Sequence, residues 1–181
     1  MSPKISYDLS RVSSGFRLAI PQVMDELAAN FPGVKVTRVA LYQPEERDES
    51  LGSAYEDGTI LLNPFWFSRD PTHLELAAKH RPITVVGDIE LGWHGPMVHE
   101  PQHVLVHEFG HLVWNSLPNG VAEKWSTSRW RAATRNTSLA PTGYALANPS
   151  EFFAEMFALC ELGYGTPDQI DDMNELVEPL K

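Results

Sequence analysis

The spacing of hydrophobic positions changes several times along the first half of the chain. Between residues 16 and 31, apolar side chains recur every three or four positions, which predicts an amphipathic helix. Residues 34–41 are rich in β-branched side chains and predict a strand. Asp57-Gly58 is a strong turn signal, so residues 53–62 predict a β-hairpin or a tight β-turn.

The middle of the chain has weaker patterns. Residues 43–53 are acidic and rich in turn formers, which predicts an exposed loop. A short helix over residues 70–80 and a short strand over residues 83–86 are expected to follow. Several glycines and prolines then predict a loop over residues 87–101.

The second half of the chain predicts three helices, at residues 101–116, 121–134 and 148–162. Pro101 suits the first position of its helix. In the last helix, Asn148 is the predicted N-cap. The acidic tail after residue 166 is expected to be a solvated face or a short surface helix.

Length and composition restrict the classes of protein to consider. The chain has 181 residues, which suits a single domain over residues 1–181, and its strands and helices predict the α+β class. Fourteen Lys and Arg oppose 24 Asp and Glu, a net charge of −10, which argues against nucleic acid as a partner. One cysteine, Cys160, excludes an internal disulfide and is expected to be buried.

Targeting signals are not visible in the sequence. No apolar run is long enough to cross a membrane, so no membrane span is expected. The first residues lack the apolar segment of a secretory signal peptide. A cytoplasmic protein, or one exported by a signal-independent route, is therefore expected.

The strongest motif is His107-Glu108-Phe109-Gly110-His111, inside a predicted helix. Residues four apart share one helix face, so His107 and His111 can bind one Zn²⁺. Glu108 is then placed to act as general base towards water activated by the metal. The motif predicts a zinc site with catalytic chemistry.

A catalytic zinc needs a third protein ligand. The metzincin extension is absent, because Trp114 and Leu117 stand where glycine and histidine would be required. The following helix offers Glu151 and Glu155, four residues apart and on one face. Glu151 could alternatively complete a capping box with Asn148, and spacing alone does not choose between the two glutamates.

The motif, followed by Tyr144 and by residues 148–155, resembles the catalytic domain of anthrax-lethal-factor-like zinc metallopeptidases, which include the Pro-Pro endopeptidases. In that family a tyrosine precedes the glutamate ligand by seven positions, as Tyr144 precedes Glu151. The resemblance covers about residues 92–162. Residues 59–64 look like the substrate-binding edge strand of the family.

The resemblance implies a zincin-like fold, with a small twisted sheet packed on the histidine helix and a second helix carrying the glutamate. It also implies that Glu151 is the third ligand and that Tyr144 hydrogen-bonds the developing oxyanion. Glu155 would then support a ligand or the structure. The expected activity is that of a zinc-dependent endopeptidase acting on a peptide or protein substrate.

Two other functions share these residues. The chain could be a non-catalytic domain, for example one associated with a virion, in which zinc only stabilises the fold. Such a structural zinc site needs no general base like Glu108. A toxin-like effector peptidase would use the same chemistry on one host protein.

Other residues near the motif have less specific interpretations. His103 is a candidate extra ligand but is better explained as a first-turn residue. His94 and His99 could contact substrate from the preceding loop, but a plain loop role is the better explanation. Trp93 and Trp114 could line a substrate groove or pack in the core. The basic residues between the two ligand helices are expected to form a solvated face; they are Lys124, Arg129, Arg131 and Arg135.

Overall fold

The amino-terminal part of the chain forms a four-stranded mixed sheet. The computed structural model describes residues 4–42, 51–69, 84–86, 89–91, 102–118 and 120–181. The strands of this sheet are β1 (Ser6–Asp8), β2 (Arg38–Leu41), β3 (Gly52–Ala54) and β4 (Thr59–Leu62). Their spatial order is β1-β2-β4-β3. β1, β2 and β4 run parallel, whereas β3 pairs antiparallel with β4.

The β3–β4 hairpin confirms the turn prediction at Asp57-Gly58 but corrects two others. Gly52–Ala54 is a strand, so the loop predicted for residues 43–53 was wrong at its end; residues 43–50 lie outside the described residues. The suggestion that residues 59–64 are a sheet edge was also wrong. β4 lies between β2 and β3 and bonds to both, so that β3 is the outer strand.

The first predicted helix is interrupted. It consists of α1 (Ser14–Arg17) and α2 (Ala19–Asn30), separated at Leu18, which is 82% exposed. Phe16 turns inward and packs on Phe67 at a ring-centroid distance of 4.9 Å. The strand predicted for residues 34–41 is shorter, because Val34 and Val36 are buried without joining the strand ladder.

Short elements connect the sheet to the helices of the second half. They are α3 (Pro64–Phe67) and a two-stranded antiparallel sheet of β5 (Thr84–Val86) and β6 (Ile89–Leu91). β5 confirms the strand predicted near residues 83–86, whereas β6 lies in the region predicted as loop. The helix predicted at residues 70–80 lies outside the described residues.

The three longer helices predicted for the second half are confirmed, with small shifts. They are α4 (His103–Ser116), α5 (Val121–Arg135) and α6 (Pro149–Glu161). α4 begins after Gln102, so Pro101 does not occupy its first position, and Pro101 itself lies outside the described residues. α6 begins as predicted, with Asn148 as N-cap and Pro149 at the first position. The fold is therefore α+β, and no helix in the described part of the chain is long and apolar enough to cross a membrane.

The acidic tail forms a short helix, which is one of the two alternatives predicted for it, and this helix also contributes to the core. α7 (Pro167–Val177) starts with a capping box formed by Thr166 and Gln169. Its buried residues Met173 and Val177 face the core. The bidentate ion pair of Arg129 with Asp172, at 2.7 and 2.9 Å, attaches α7 to α5, so Arg129 is not merely part of a solvated basic face.

α4 and α6 cross closely at Gly110. A β-carbon added at Gly110 would lie 3.1 Å from the Cα atom and 3.3 Å from the carbonyl oxygen of Ala154. Beside this crossing, Phe109 and Phe157 stack on each other and Phe31, which follows α2, contacts both at tilted or edge-on angles, with centroid distances of 5.4 to 6.0 Å. Cys160, buried near the end of α6, confirms its predicted role as a core residue.

The Gly110→Ala variant tests this crossing. In an isolated helix the substitution would stabilise by about 1 kcal/mol, because alanine is the better helix former. Here the added methyl meets backbone atoms of Ala154, and overpacking of this kind costs about 1–3 kcal/mol. We therefore expect a lower free energy of unfolding in urea denaturation. A stabilised variant would show that the two helices do not meet at this distance.

Candidate metal centre

The two motif histidines lie on one face of α4, with His107 buried and His111 partly exposed. His107 and His111 are separated by one helical turn, and their Nε2 atoms are 3.2 Å apart. The remaining face of this helix is largely apolar and packs into the core. The two imidazoles therefore converge on one point at the outer side of α4.

Glu151 reaches the same point from α6. The Asn148 side chain accepts a hydrogen bond from the Glu151 backbone nitrogen, at 3.0 Å, and so fixes the start of the helix. The carboxylate of Glu151 points away from this cap and towards α4. Its Oε2 atom lies 3.0 Å from Nε2 of His107 and 3.3 Å from Nε2 of His111.

The three ligand atoms form a nearly equilateral triangle. Its edges of 3.0, 3.2 and 3.3 Å join Nε2 of His107, Nε2 of His111 and Oε2 of Glu151. Ligands at 2.0–2.1 Å from a tetrahedral Zn²⁺ would be separated by about 3.3 Å. The group can therefore hold a metal ion with one tetrahedral position left for another ligand.

Glu155 has a different partner from Glu151. It is fully buried, at 0% exposure, and its Oε1 atom lies 2.7 Å from Nδ1 of His107. At this distance the carboxylate can orient the ring through Nδ1, and the neutral ring would then present its Nε2 lone pair to the triangle. Spacing alone did not distinguish Glu151 from Glu155, but the structure places them at different atoms of the His107 ring. Glu151 faces Nε2, and Glu155 lies against Nδ1 on the opposite side of the ring.

Ser150 holds the second imidazole and was missed in the sequence. Its Oγ atom lies 3.1 Å from Nδ1 of His111, on the side of the ring away from the triangle. Both histidines thus have an oxygen partner on Nδ1. A serine beside a glutamate on a helix carries no sequence signal for this role, because the contact depends on how α4 and α6 cross.

Burial and charge act in opposite directions on these groups. Burial lowers the pKa of His107, but hydrogen bonds to Glu151 and Glu155 outweigh it and hold that pKa well above its usual value. Burial raises the pKa of Glu151, yet hydrogen bonds from His107 and His111 outweigh it and lower this pKa to about 2. Without a bound metal, His107 is therefore protonated and Glu151 ionised at neutral pH, and a metal ion binding at Nε2 of His107 would displace the proton there.

Glu108 lies beside the triangle without being part of it. The residue is only 5% exposed, and its side chain lies against Gly52 of the strand β3. Burial raises the pKa of Glu108, opposed by the charges of His107 and His111. A carboxylate with a raised pKa is a better proton acceptor and donor near neutral pH.

A cavity of about 580 Å³ opens onto the triangle. β3 lines one side of it through Gly52 and Ser53, and Trp114 lines another while packing on Phe153 at 5.4 Å. The Trp114 indole therefore packs against a core residue and also lines the cavity. The cavity gives an external molecule access to the triangle and to Glu108.

Tyr144 also lines this cavity. It lies in a short 3-10 helix, Tyr144–Leu146, and its ring is 5.7 Å from that of His107. Burial raises the pKa of Tyr144, and the nearby carboxylates of Glu151 and Glu108 raise it further. The side chain therefore remains a neutral phenol with a hydrogen to donate.

The other histidines do not join the centre in the described part of the chain. His103 is buried one turn before His107 but is not among the grouped ligand atoms. His94, His99 and Trp93 lie outside the described residues, so their suggested contacts with substrate stay predictions.

Comparisons with protein-family models, with curated proteins and with solved structures found no match to this chain. The resemblance to lethal-factor-like peptidases therefore stays a prediction, and function is inferred from the geometry of the site.

Replacing Glu155 with glutamine tests its support of His107. The amide cannot carry the negative charge that orients the ring, and loss of such a partner typically lowers metal affinity about 10- to 100-fold. We expect that loss for zinc in competition with a chromogenic chelator. Glu175→Gln, on the exposed side of α7, is the control and should bind zinc like wild type. Equal affinity in all three proteins would contradict the support role.

Proposed function

We propose that this chain is a zinc-dependent endopeptidase of the gluzincin type, with Glu108 as its general base. The observation that carries the proposal is the triangle of His107, His111 and Glu151 ligand atoms beside a buried glutamate in an open cavity. The α+β fold, with β3 packed on the histidine helix, supports a zincin-like domain.

The donor set suits zinc. Two imidazole nitrogens and one carboxylate oxygen are the ligands of a known class of catalytic zinc site, which keeps its fourth position open. A structural zinc would use four protein ligands, and the described residues group three. A non-catalytic zinc-binding domain is therefore the weaker alternative. It also does not explain why a buried glutamate, Glu108, lies beside the ligand atoms.

The chain's own residues provide the proton transfers. When bound, zinc supplies a Lewis acid that lowers the pKa of a water molecule and polarises a peptide carbonyl. Glu108 accepts the proton of the attacking water and later delivers it to the leaving amine. The Tyr144 phenol donates a hydrogen bond to the oxyanion that develops on the carbonyl oxygen.

The cavity suits a peptide as substrate. It is open to solvent beside β3, the outer strand of the described sheet, where an extended segment can lie along the site. The net charge of −10 opposes binding of a nucleic acid backbone. The proposed partner is therefore a peptide or protein segment.

The Glu108→Gln variant tests the general base. Glutamine keeps the size of the side chain but cannot accept the proton, so we expect peptide cleavage to fall by at least about 10²-fold. Zinc content should stay at the wild-type level, because Glu108 is not a ligand. Cleavage is measured on a peptide library by mass spectrometry, with exposed Glu26→Gln as control. Undiminished cleavage by Glu108→Gln would overturn the mechanism.

The Tyr144→Phe variant tests the oxyanion contact. Removing one donor to an oxyanion typically lowers kcat by about 10²–10³-fold, because the bond is made in the transition state. We expect that loss in kcat with little change in KM. Tyr164→Phe, at a half-exposed tyrosine after α6, is the matched control and should cleave like wild type. A kcat equal to that of wild type would remove Tyr144 from the mechanism.

A further inference from the structure

We propose that Gly52 of β3 is a positioning residue for the Glu108 carboxylate. This inference rests on the proposed function, because it concerns where the general base is held. Gly52 lacks a β-carbon, and the side chain of Glu108 occupies the space that a β-carbon would need.

The contact between these two residues is unusually close. A β-carbon built on Gly52 would lie 2.9 Å from Oε1, 3.0 Å from Cγ and 3.1 Å from Cδ of Glu108. The distance of 2.9 Å is shorter than real β-carbons show, and the other two are tighter than nine in ten of their contacts with other heavy atoms. The outer half of the Glu108 side chain therefore lies flat on the backbone of β3.

Hydrogen bonds on both sides of Gly52 hold β3 in place where it meets Glu108. Gly52 pairs with Leu62 of β4, and the Asn63 backbone nitrogen donates to the Leu51 carbonyl at 3.0 Å. On the other side of Gly52, the Tyr42 hydroxyl hydrogen-bonds the Ser53 hydroxyl. The strand therefore acts as a wall that limits where the carboxylate can lie.

Glu108 is only 5% exposed, and the open space beside its side chain is the cavity that leads to the ligand triangle. A methyl group at position 52 would push the carboxylate out of its present place. The three heavy atoms nearest to this position all belong to Glu108, so the displacement falls on the base.

We therefore expect the Gly52→Ala variant to have a lower kcat while its binding of substrate and zinc is unchanged. A displacement of about 1 Å in a catalytic group can cost about 10²-fold, so we expect kcat to fall about 10- to 100-fold. KM should stay within about twofold, and zinc should remain at one ion per chain. A purely structural role of Gly52 would lower stability without this separation of kcat from KM.

A stability cycle tests the contact without any activity measurement. The thermal midpoint Tm is measured for wild type, Gly52→Ala, Glu108→Ala and the double variant. We expect Gly52→Ala to lower Tm in the wild-type background but not in the Glu108→Ala background, because the clashing atoms are gone. If Gly52→Ala alone does not fold, folding of the double variant supports the proposal, and failure of both overturns it.

Gly33→Ala is the matched control. A β-carbon at Gly33 would lie 2.9 Å from the Cα atom of Leu180, which does not line the cavity onto the ligand triangle. This variant should lower Tm equally in both backgrounds and keep the wild-type kcat below its unfolding transition.

The outcomes separate this inference from the proposed function. Equal loss of Tm in both backgrounds, or a wild-type kcat in Gly52→Ala, overturns the role of Gly52 while the peptidase proposal stands. A wild-type protein that cleaves no peptide overturns the peptidase proposal and the positioning role together. In that case the Tm cycle still decides whether Gly52 packs on Glu108.

Discussion

The crossing of α4 and α6 is the constraint on which this structure depends. It brings two imidazoles and three carboxylates together at the boundary of the core, and Glu155 is fully buried there. Charged groups removed from water are costly unless each has a partner. The crossing provides these partners, since Glu155 meets Nδ1 of His107 and Glu151 meets Nε2 of both histidines. A bound divalent cation would balance the remaining negative charge.

The apolar side of the same crossing sets the geometry of the polar side. Gly110 and Ala154 allow the two backbones to approach, while Phe109 and Phe157 pack beneath them. Because α4 carries the histidines and α6 carries Glu151, any change in their separation moves the ligand atoms apart. Core packing and the candidate metal centre are therefore coupled, and substitutions in the aromatic core would affect both.

The features that could be predicted from the sequence depend on neighbouring residues in the chain. The start of α6 follows from Asn148-Pro149, and the histidine pair follows from four-residue spacing on one helix. The choice between Glu151 and Glu155 could not be made, because both lie on the same face and differ only in which ring nitrogen they reach. The start of β3 was predicted as loop because Gly52–Ala54 has no β-branched residue, and its pairing with β4 depends on contacts beyond the local pattern.

X-ray absorption at the zinc edge, on zinc-loaded wild type and on Glu151→Ala, tests the central claim most directly. The account predicts one zinc per chain with four nitrogen or oxygen neighbours at about 2.0–2.1 Å, including two imidazoles. In Glu151→Ala, the ion should be lost or its coordination altered. A wild-type protein that binds no zinc after reconstitution, or an identical spectrum in the variant, would contradict the assignment of His107, His111 and Glu151 as the metal ligands.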